Sequence, residues 1–147
     1  ADVVLASVHS AFRQSEEQMT QRMIRAARNP LVGIIAHPTG RLLSGREGYS
    51  VNIGRLIEEC AATGAALEIN AHQERLDLDD VNARRAVEAG VMLSIGTDAH
   101  HPADLSMMIL GVSVARRAWC RPSNILNTLP CDALLEFFAR KRGGASK

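Results

Sequence analysis

Four side chains able to bind a metal ion stand at or just beyond the ends of apolar runs: His9, His37, Asp98 and His100. The runs are residues 3–9, 32–38 and 91–100, and each is short and bounded by turn signals. Such runs read as strands buried on both faces, as in a parallel sheet. In barrels built from such strands, chemistry gathers where the strands end and the βα loops begin. Asp98 and His100 are two residues apart, so in extended chain they point the same way and can reach one centre. Nitrogen and carboxylate donors without thiolates suit zinc, manganese or iron. Paired ions of that kind clamp a phosphoryl oxygen and lower the pKa of a bound water, which is the chemistry of phosphoester hydrolysis. Taken singly, each histidine is more often a satisfied core or loop residue, and the Asp98–Pro102 stretch alone reads equally as a helix-capping turn. The shared placement at one end of several parallel strands is what favours a metal site.

Further candidates lie at the same edge. Glu68 and Asn70 alternate with Leu67 and Ile69 and so face a polar interior, where Glu68 is either a general base or a buried structural carboxylate. His72, in the following loop, is a ligand, a water-orienting group, a substrate contact or simply an exposed histidine. Arg41 and Arg75 sit in neighbouring loops, where a guanidinium would hold a phosphate bidentately. Arg46 reads as surface solubility. Arg41, Asn70, His72 and Arg75 together form the substrate-side set. Glycines 40, 45 and 48 match no phosphate-cradling spacing.

The elements that must position these groups alternate: strand, helix, strand, helix, strand, helix, strand, then helical pieces. Ser15 and Gln18 form a capping box opening a helix that Asn29-Pro30 stops near Arg28. Asn52 caps a second helix with Ile53, Leu56, Ile57 and Cys60 on its buried stripe, ended by Gly64. Asp79 caps a third that closes at Gly90. Pro102 opens the next, and residues 107–139 are helical pieces broken at Pro122 and Pro130. Short connections between alternating strands and helices imply parallel βα units, enough for half a barrel or a small open sheet. The domain is expected over residues 1–139, with a basic, frayed tail at 140–147. The start, Ala1-Asp2 leading straight into a strand, reads as a chain cut from something longer.

Composition narrows the classes. The chain has 147 residues, 17 Lys and Arg against 16 Asp and Glu, and 3% aromatics. That balance gives no global basic field for nucleic acid, and so few aromatics argue against a base-stacking platform. No apolar run is long enough to cross a bilayer. Cys60, Cys120 and Cys131 form no C-x-x-C pair, so neither a disulfide framework nor a zinc ribbon is expected, and a reducing cytoplasm is the better setting.

Several strings resemble one family. Ala6-Ser7-Val8-His9, Ala36-His37-Pro38-Thr39-Gly40-Arg41-Leu42, Leu67-Glu68-Ile69-Asn70-Ala71, Arg75-Leu76-Asp77-Leu78 and Thr97-Asp98-Ala99-His100 are similar to the later motifs of the PHP (polymerase and histidinol phosphatase) domain. The fuller His-Pro-Thr-Gly-Arg-Leu and Arg-Leu-Asp-Leu strings resemble in particular the PHP domain of bacterial family X DNA polymerases. The resemblance covers nearly the whole chain.

It implies an α/β fold in which these parallel βα units are the C-terminal half of a distorted (β/α)7 PHP barrel. It implies two to three divalent metals (Mn, Zn or Fe) in the complete domain, with His9, His37, Asp98 and His100 at ligand positions and Arg41 and Arg75 near the substrate groove. The implied activity is that of a metal-dependent 3′–5′ exonuclease processing DNA ends in repair, with DNA 3′ ends and the N-terminal half of the barrel as partners. The family's opening His-x-His and its next histidine and glutamate ligands have no counterpart here, and His72-Gln73 replaces a common Asn-Pro. Four ligands cannot fill two or three coordination spheres at about four ligands each. Whether this chain alone is an enzyme therefore stays open. A PHP-type phosphatase of a small phosphomonoester, such as histidinol phosphate, is the second reading. A catalytically incomplete barrel fragment with a structural or docking role is the third.

Overall fold

The computed structural model describes residues 1–45 and 47–143. Arg46 lies outside the described residues, as do residues 144–147 of the expected tail. The described elements are β1 (Leu5–Ala6), α1 (Glu16–Arg28), β2 (Ile34–Ile35), α2 (Ile53–Thr63), β3 (Ala66–Asn70), α3 (Asp80–Glu88), β4 (Leu93–Gly96), α4 (Met108–Arg117) and α5 (Cys131–Gly143). Single turns of 3₁₀ helix span Pro122–Asn124 and Leu126–Thr128, and a longer one, Pro102–Met107, leads into α4.

The strands form one parallel sheet in the order β1-β2-β3-β4. Strand order follows the chain without reversal, as in a βα barrel wall and unlike a doubly wound sheet, which reverses at a switch point. The α/β class and the parallel βα units are thus observed, in an arrangement consistent with part of a barrel. The strands are shorter than the apolar runs that announce them. Beyond Ile35 and Gly96 the chain leaves the ladder, and His37 and Asp98 adopt φ of 31° and 52°. No repeating strand continues through such a conformation.

Local signals explain the helix ends. Ser15 accepts from the Gln18 amide, and Gln18 Oε1 accepts from the Ser15 amide, at 3.3 and 3.2 Å. Asn52 accepts from Arg55 N–H and Asp79 from Asn82 N–H. Gly64 and Gly90 close their helices at φ 72° and 83°. The helix faces cover the sheet with Met19, Met23, Leu56, Ile57, Cys60, Ala83 and Ala86, which meet Leu67, Ile69 and Leu93. Cys60 is a core residue, its thiol pushed up to about 12 by burial.

The C-terminal stretch corrects one expectation. Residues 140–143 continue α5 rather than fraying, because Lys141 is buried and donates to the carbonyls of Ala27 at 2.7 Å and Thr63 at 3.4 Å. No described helix is long and apolar enough to cross a membrane.

Candidate functional site

β3 is buried along its whole length, so the polar side chains it carries must find partners inside the protein. Glu68 does so through Oε2, which accepts the His37 N–H at 2.7 Å and Asn70 Nδ2 at 3.3 Å. A Cβ at Gly96 on β4 would overlap Glu68 Oε1, so glycine is what lets the carboxyl lie between the strands. Burial raises the Glu68 carboxyl to about 7, against the pull of those two hydrogen bonds. Glu68 therefore grips the backbone of His37 from below and is shielded from solvent.

His37 is itself buried, 4% exposed, and its Nδ1 has no hydrogen-bond partner among the described residues. Burial, and then the nearby Arg75 charge, holds its imidazole below the usual histidine range. The His9 ring meets it edge-on with centroids 5.4 Å apart. Nε2 of His9 lies 2.7 Å from Ser7 Oγ. Asp98 accepts from Arg75 Nε at 3.1 Å. His100 turns its Nδ1 back to the Asp98 carbonyl oxygen, 2.7 Å away, on the exposed side.

The arginines are more occupied than their loop positions predict. Arg41 donates from Nε to the Arg75 carbonyl at 2.7 Å, and from Nη2 to the Leu76 carbonyl. Its guanidinium fixes the loop that carries Arg75, and Arg75 in turn neutralises Asp98. Asn70, 1% exposed, accepts from His72 N–H at 3.0 Å while its amide donates to Glu68. It shapes the loop from within the core, out of a substrate's reach. His72 Nδ1 accepts from Glu74 N–H at 3.3 Å and closes that same loop.

Two residues with a clear role escape the sequence reading. Asp77 is fully buried and accepts from Thr39 N–H and Gly40 N–H, both in the turn just past His37, at 2.9 and 2.8 Å. Burial raises its carboxyl to about 6. The one available signal was an acid flanked by Leu76 and Leu78 in a run that packs inward. Asp104 accepts from the amides of His100 and His101 at 3.0 and 2.9 Å, and His101 Nδ1 caps the following turn through Ala103 N–H. The Asp-Ala-His-His-Pro stretch is thus a capping turn as well as the site of the candidate ligands.

The donor chemistry fits a divalent cation on this edge: two imidazoles in contact, one with an unsatisfied buried nitrogen, and a carboxylate that already holds a cationic partner. Among the described residues, no group of three or more His, Cys, Asp or Glu side chains is placed so that it could hold a metal ion. A cation here would draw on His9, His37, Asp98 and His100 and would need further donors.

No protein-family model matches the chain. Individual relatives do. The chain is 47% identical over 139 residues to the DNA polymerase/3′-5′ exonuclease PolX of Bacillus subtilis, covering 95% of this chain and 24% of that protein. It is 29% identical over 150 residues to a probable phosphatase of Caldanaerobacter subterraneus subsp. tengcongensis, covering 96% of the chain and 56% of the relative. A probable phosphatase of Shewanella loihica is 30% identical over 148 residues, or 95% of the chain and 57% of the relative. The chain thus spans about a quarter of the polymerase and little more than half of each phosphatase. Motif strings, parallel βα architecture and these similarities agree, and the chain is similar over nearly its whole length to a PHP-like segment of a bacterial family X DNA polymerase.

Proposed function

We propose that this chain is the C-terminal half of the PHP nuclease domain of a family X DNA polymerase, and that it contributes His9, His37, Asp98 and His100 to a site for divalent metals (Mn, Zn or Fe). The observation that carries the reading is the 47% identity to PolX across nearly the whole chain. The buried Nδ1 of His37 at the strand ends, without a hydrogen-bond partner among the described residues, supports it from the geometry. On this reading the wall seen here is part of a distorted (β/α)7 barrel, residues 1–139 supply its barrel elements, and an N-terminal half supplies the remaining donors and strands. The reaction is 3′–5′ hydrolysis of DNA ends, placed in repair and in the cytoplasm.

When bound, the metals supply Lewis acidity and a hydroxide at neutral pH. The chain's own residues do the rest. Glu68 fixes the His37 backbone, Asp77 fixes the turn beyond it, and Arg41 holds the Arg75 loop so that one guanidinium stands beside Asp98. Arg75 is the side chain best placed to meet a phosphate oxygen at this edge. Glu68, sealed below His37, serves as a support rather than as a base. Elemental analysis of the purified chain beside His37→Ala and Asp98→Ala tests the metal assignment. Metal bound by the parent chain and lost from both variants is the expected result; equal metal in all three would sink it.

A second reading, a phosphatase of small phosphomonoesters, is favoured by the similarity to the probable phosphatases. Joined to an upstream segment that completes the site, the chain is expected to shorten a 3′-ended oligonucleotide faster than it hydrolyses a small phosphate ester. The opposite order would favour the phosphatase.

A further inference from the structure

Asp98 is the one carboxylate in the proposed ligand set, and it already faces a cation. Its Oδ2 accepts from Arg75 Nε at 3.1 Å, and the Arg75 side chain is only 18% exposed against 30% for Asp98. The guanidinium also bears on His37, where its charge adds to burial in holding the imidazole low. One positive group thus stands against two of the four donors, on a partly desolvated edge where like charges are poorly screened. The backbone behind it is pinned. Arg41 Nε donates to the Arg75 carbonyl at 2.7 Å, Leu43 N–H to the Glu74 carbonyl at 2.6 Å, and Asp77 N–H to the Asn70 carbonyl at 3.2 Å. The side chain is tied far less: its bond to Asp98 is its one side-chain hydrogen bond among the described residues. It can leave that carboxylate without rearranging the loop.

We propose that Arg75 is a charge latch on the site: its guanidinium competes with a divalent cation for Asp98, and once displaced it is the group offered to a substrate phosphate. A partner behind a ligating carboxylate strengthens the ligand when it lies outside the donor set. Arg75 faces His37 as well as Asp98, so its charge lies among the donors and opposes a second cation there. Metal loading and phosphate capture are then linked through one side chain, each easing the other. The inference rests on the metal reading above and adds the regulation of that same site.

The test is a calorimetric titration of the 147-residue chain with zinc chloride, repeated on Arg75→Gln, Arg75→Lys and His37→Ala. The expected result is zinc binding by the parent, roughly tenfold tighter binding by Arg75→Gln, and none by His37→Ala. Arg75→Lys keeps the charge and should bind more weakly than Arg75→Gln. Zinc held no more tightly by Arg75→Gln than by its parent, and still lost from His37→Ala, would overturn the latch and leave the metal reading standing. A lysine variant as tight as the glutamine one would also overturn it, since charge would not be the cause. No zinc on any chain at millimolar concentration, or the same zinc on His37→Ala, would overturn both. Should Arg75→Gln unfold, NMR of the parent decides: the Arg75 Nε–H resonance is expected to lose its hydrogen-bonded shift as zinc is added. An unmoved resonance while zinc binds would overturn the latch.

Discussion

The two ends of the parallel sheet are built on opposite rules. At the end where helices α1 and α2 finish, polar groups are satisfied conventionally: Gly64 closes α2 in the left-handed region, and the Lys141 ammonium binds a carbonyl from the last turn of each helix. At the end where the strands finish, the backbone is taken into costly conformations. Among the described residues, four of the five non-glycine positions with positive φ lie in the loops there: Ala11, His37, Leu76 and Asp98. Two carboxyls are buried close by, and the Nδ1 of His37 has no hydrogen-bond partner among the described residues. Each such feature is unfavourable by itself and persists only where the surroundings over-determine it. The contrast teaches where to look for function: one end is arranged for stability, the other is held by it.

The sharpest way to break this contrast is to remove what holds the strained end. Asp77→Ala would leave the Thr39 and Gly40 amides, in a turn packed against the core, without their acceptor. A loss of about 3 kcal/mol or more is expected, since each buried donor left unpaired costs about 1–3 kcal/mol. Asp77→Asn keeps a carbonyl acceptor and should lose about 1 kcal/mol. Urea denaturation of the three proteins measures both. If Asp77→Ala melts like its parent, the turn beyond His37 is held by something other than this carboxyl.

The second prediction uses pH. Glu68 binds its proton more tightly in the fold, near 7, than in the open chain, near 4.5. Its contribution is therefore fully present below about pH 4.5 and is lost as pH rises to about 7. Asp77 acts in the same sense between about 4 and 6, while His37, held below its usual range, acts in the opposite sense as pH falls below 6.5. Glu68→Gln isolates the first effect, because the amide keeps an oxygen for the His37 N–H and never ionises. Between pH 5 and pH 8 the variant should gain up to about 3 kcal/mol of stability relative to its parent, from a shift of that size at 1.36 kcal/mol per pH unit. A constant difference across that range would mean that Glu68 is solvated and the pocket beneath His37 is wet.

Much of this was legible in the residues, and the limits are instructive. Helix boundaries were readable because capping is local: Ser15 with Gln18, Asn52, Asp79 and Gly64 all act within a few residues of themselves. The parallel pairing of the strands followed from the alternation of elements, and at the strand ends the rings of His9 and His37 meet. The roles of the arginines did not, because Arg41 reaches 34 residues along the chain to the Arg75 carbonyl and no spacing encodes that contact. Asn70 looked polar and available, yet the strand bearing it is buried on both faces. A count of aromatics could not show that Phe12 and Tyr49 lie face to face. The expected tail hid a buried lysine, since a Lys-Arg-rich terminus reads as solvated until its tertiary partners are known.

That lysine provides the smallest of the expected effects and tests the other end of the molecule. Lys141 reaches across from α5 to the last carbonyls of α1 and α2, so it ties the C-terminal helix to two helix ends at once. Burial lowers its ammonium from the usual lysine range, and the two carbonyl oxygens are what make the charged form tolerable there. Lys141→Met keeps most of the apolar stem and removes the donors. Hydrogen bonds from a charged group contribute about 1.5–3 kcal/mol, but the variant also relieves a desolvated charge, so a net loss of about 1 kcal/mol is expected. The loss should be the same at pH 5 and pH 8, because a lysine stays protonated throughout. A pH-independent loss at this end beside a pH-dependent gain for Glu68→Gln at the other would separate the two ends by measurement. A loss that grew with pH would instead mean that the lysine deprotonates in the fold and that this end, too, carries a poised group.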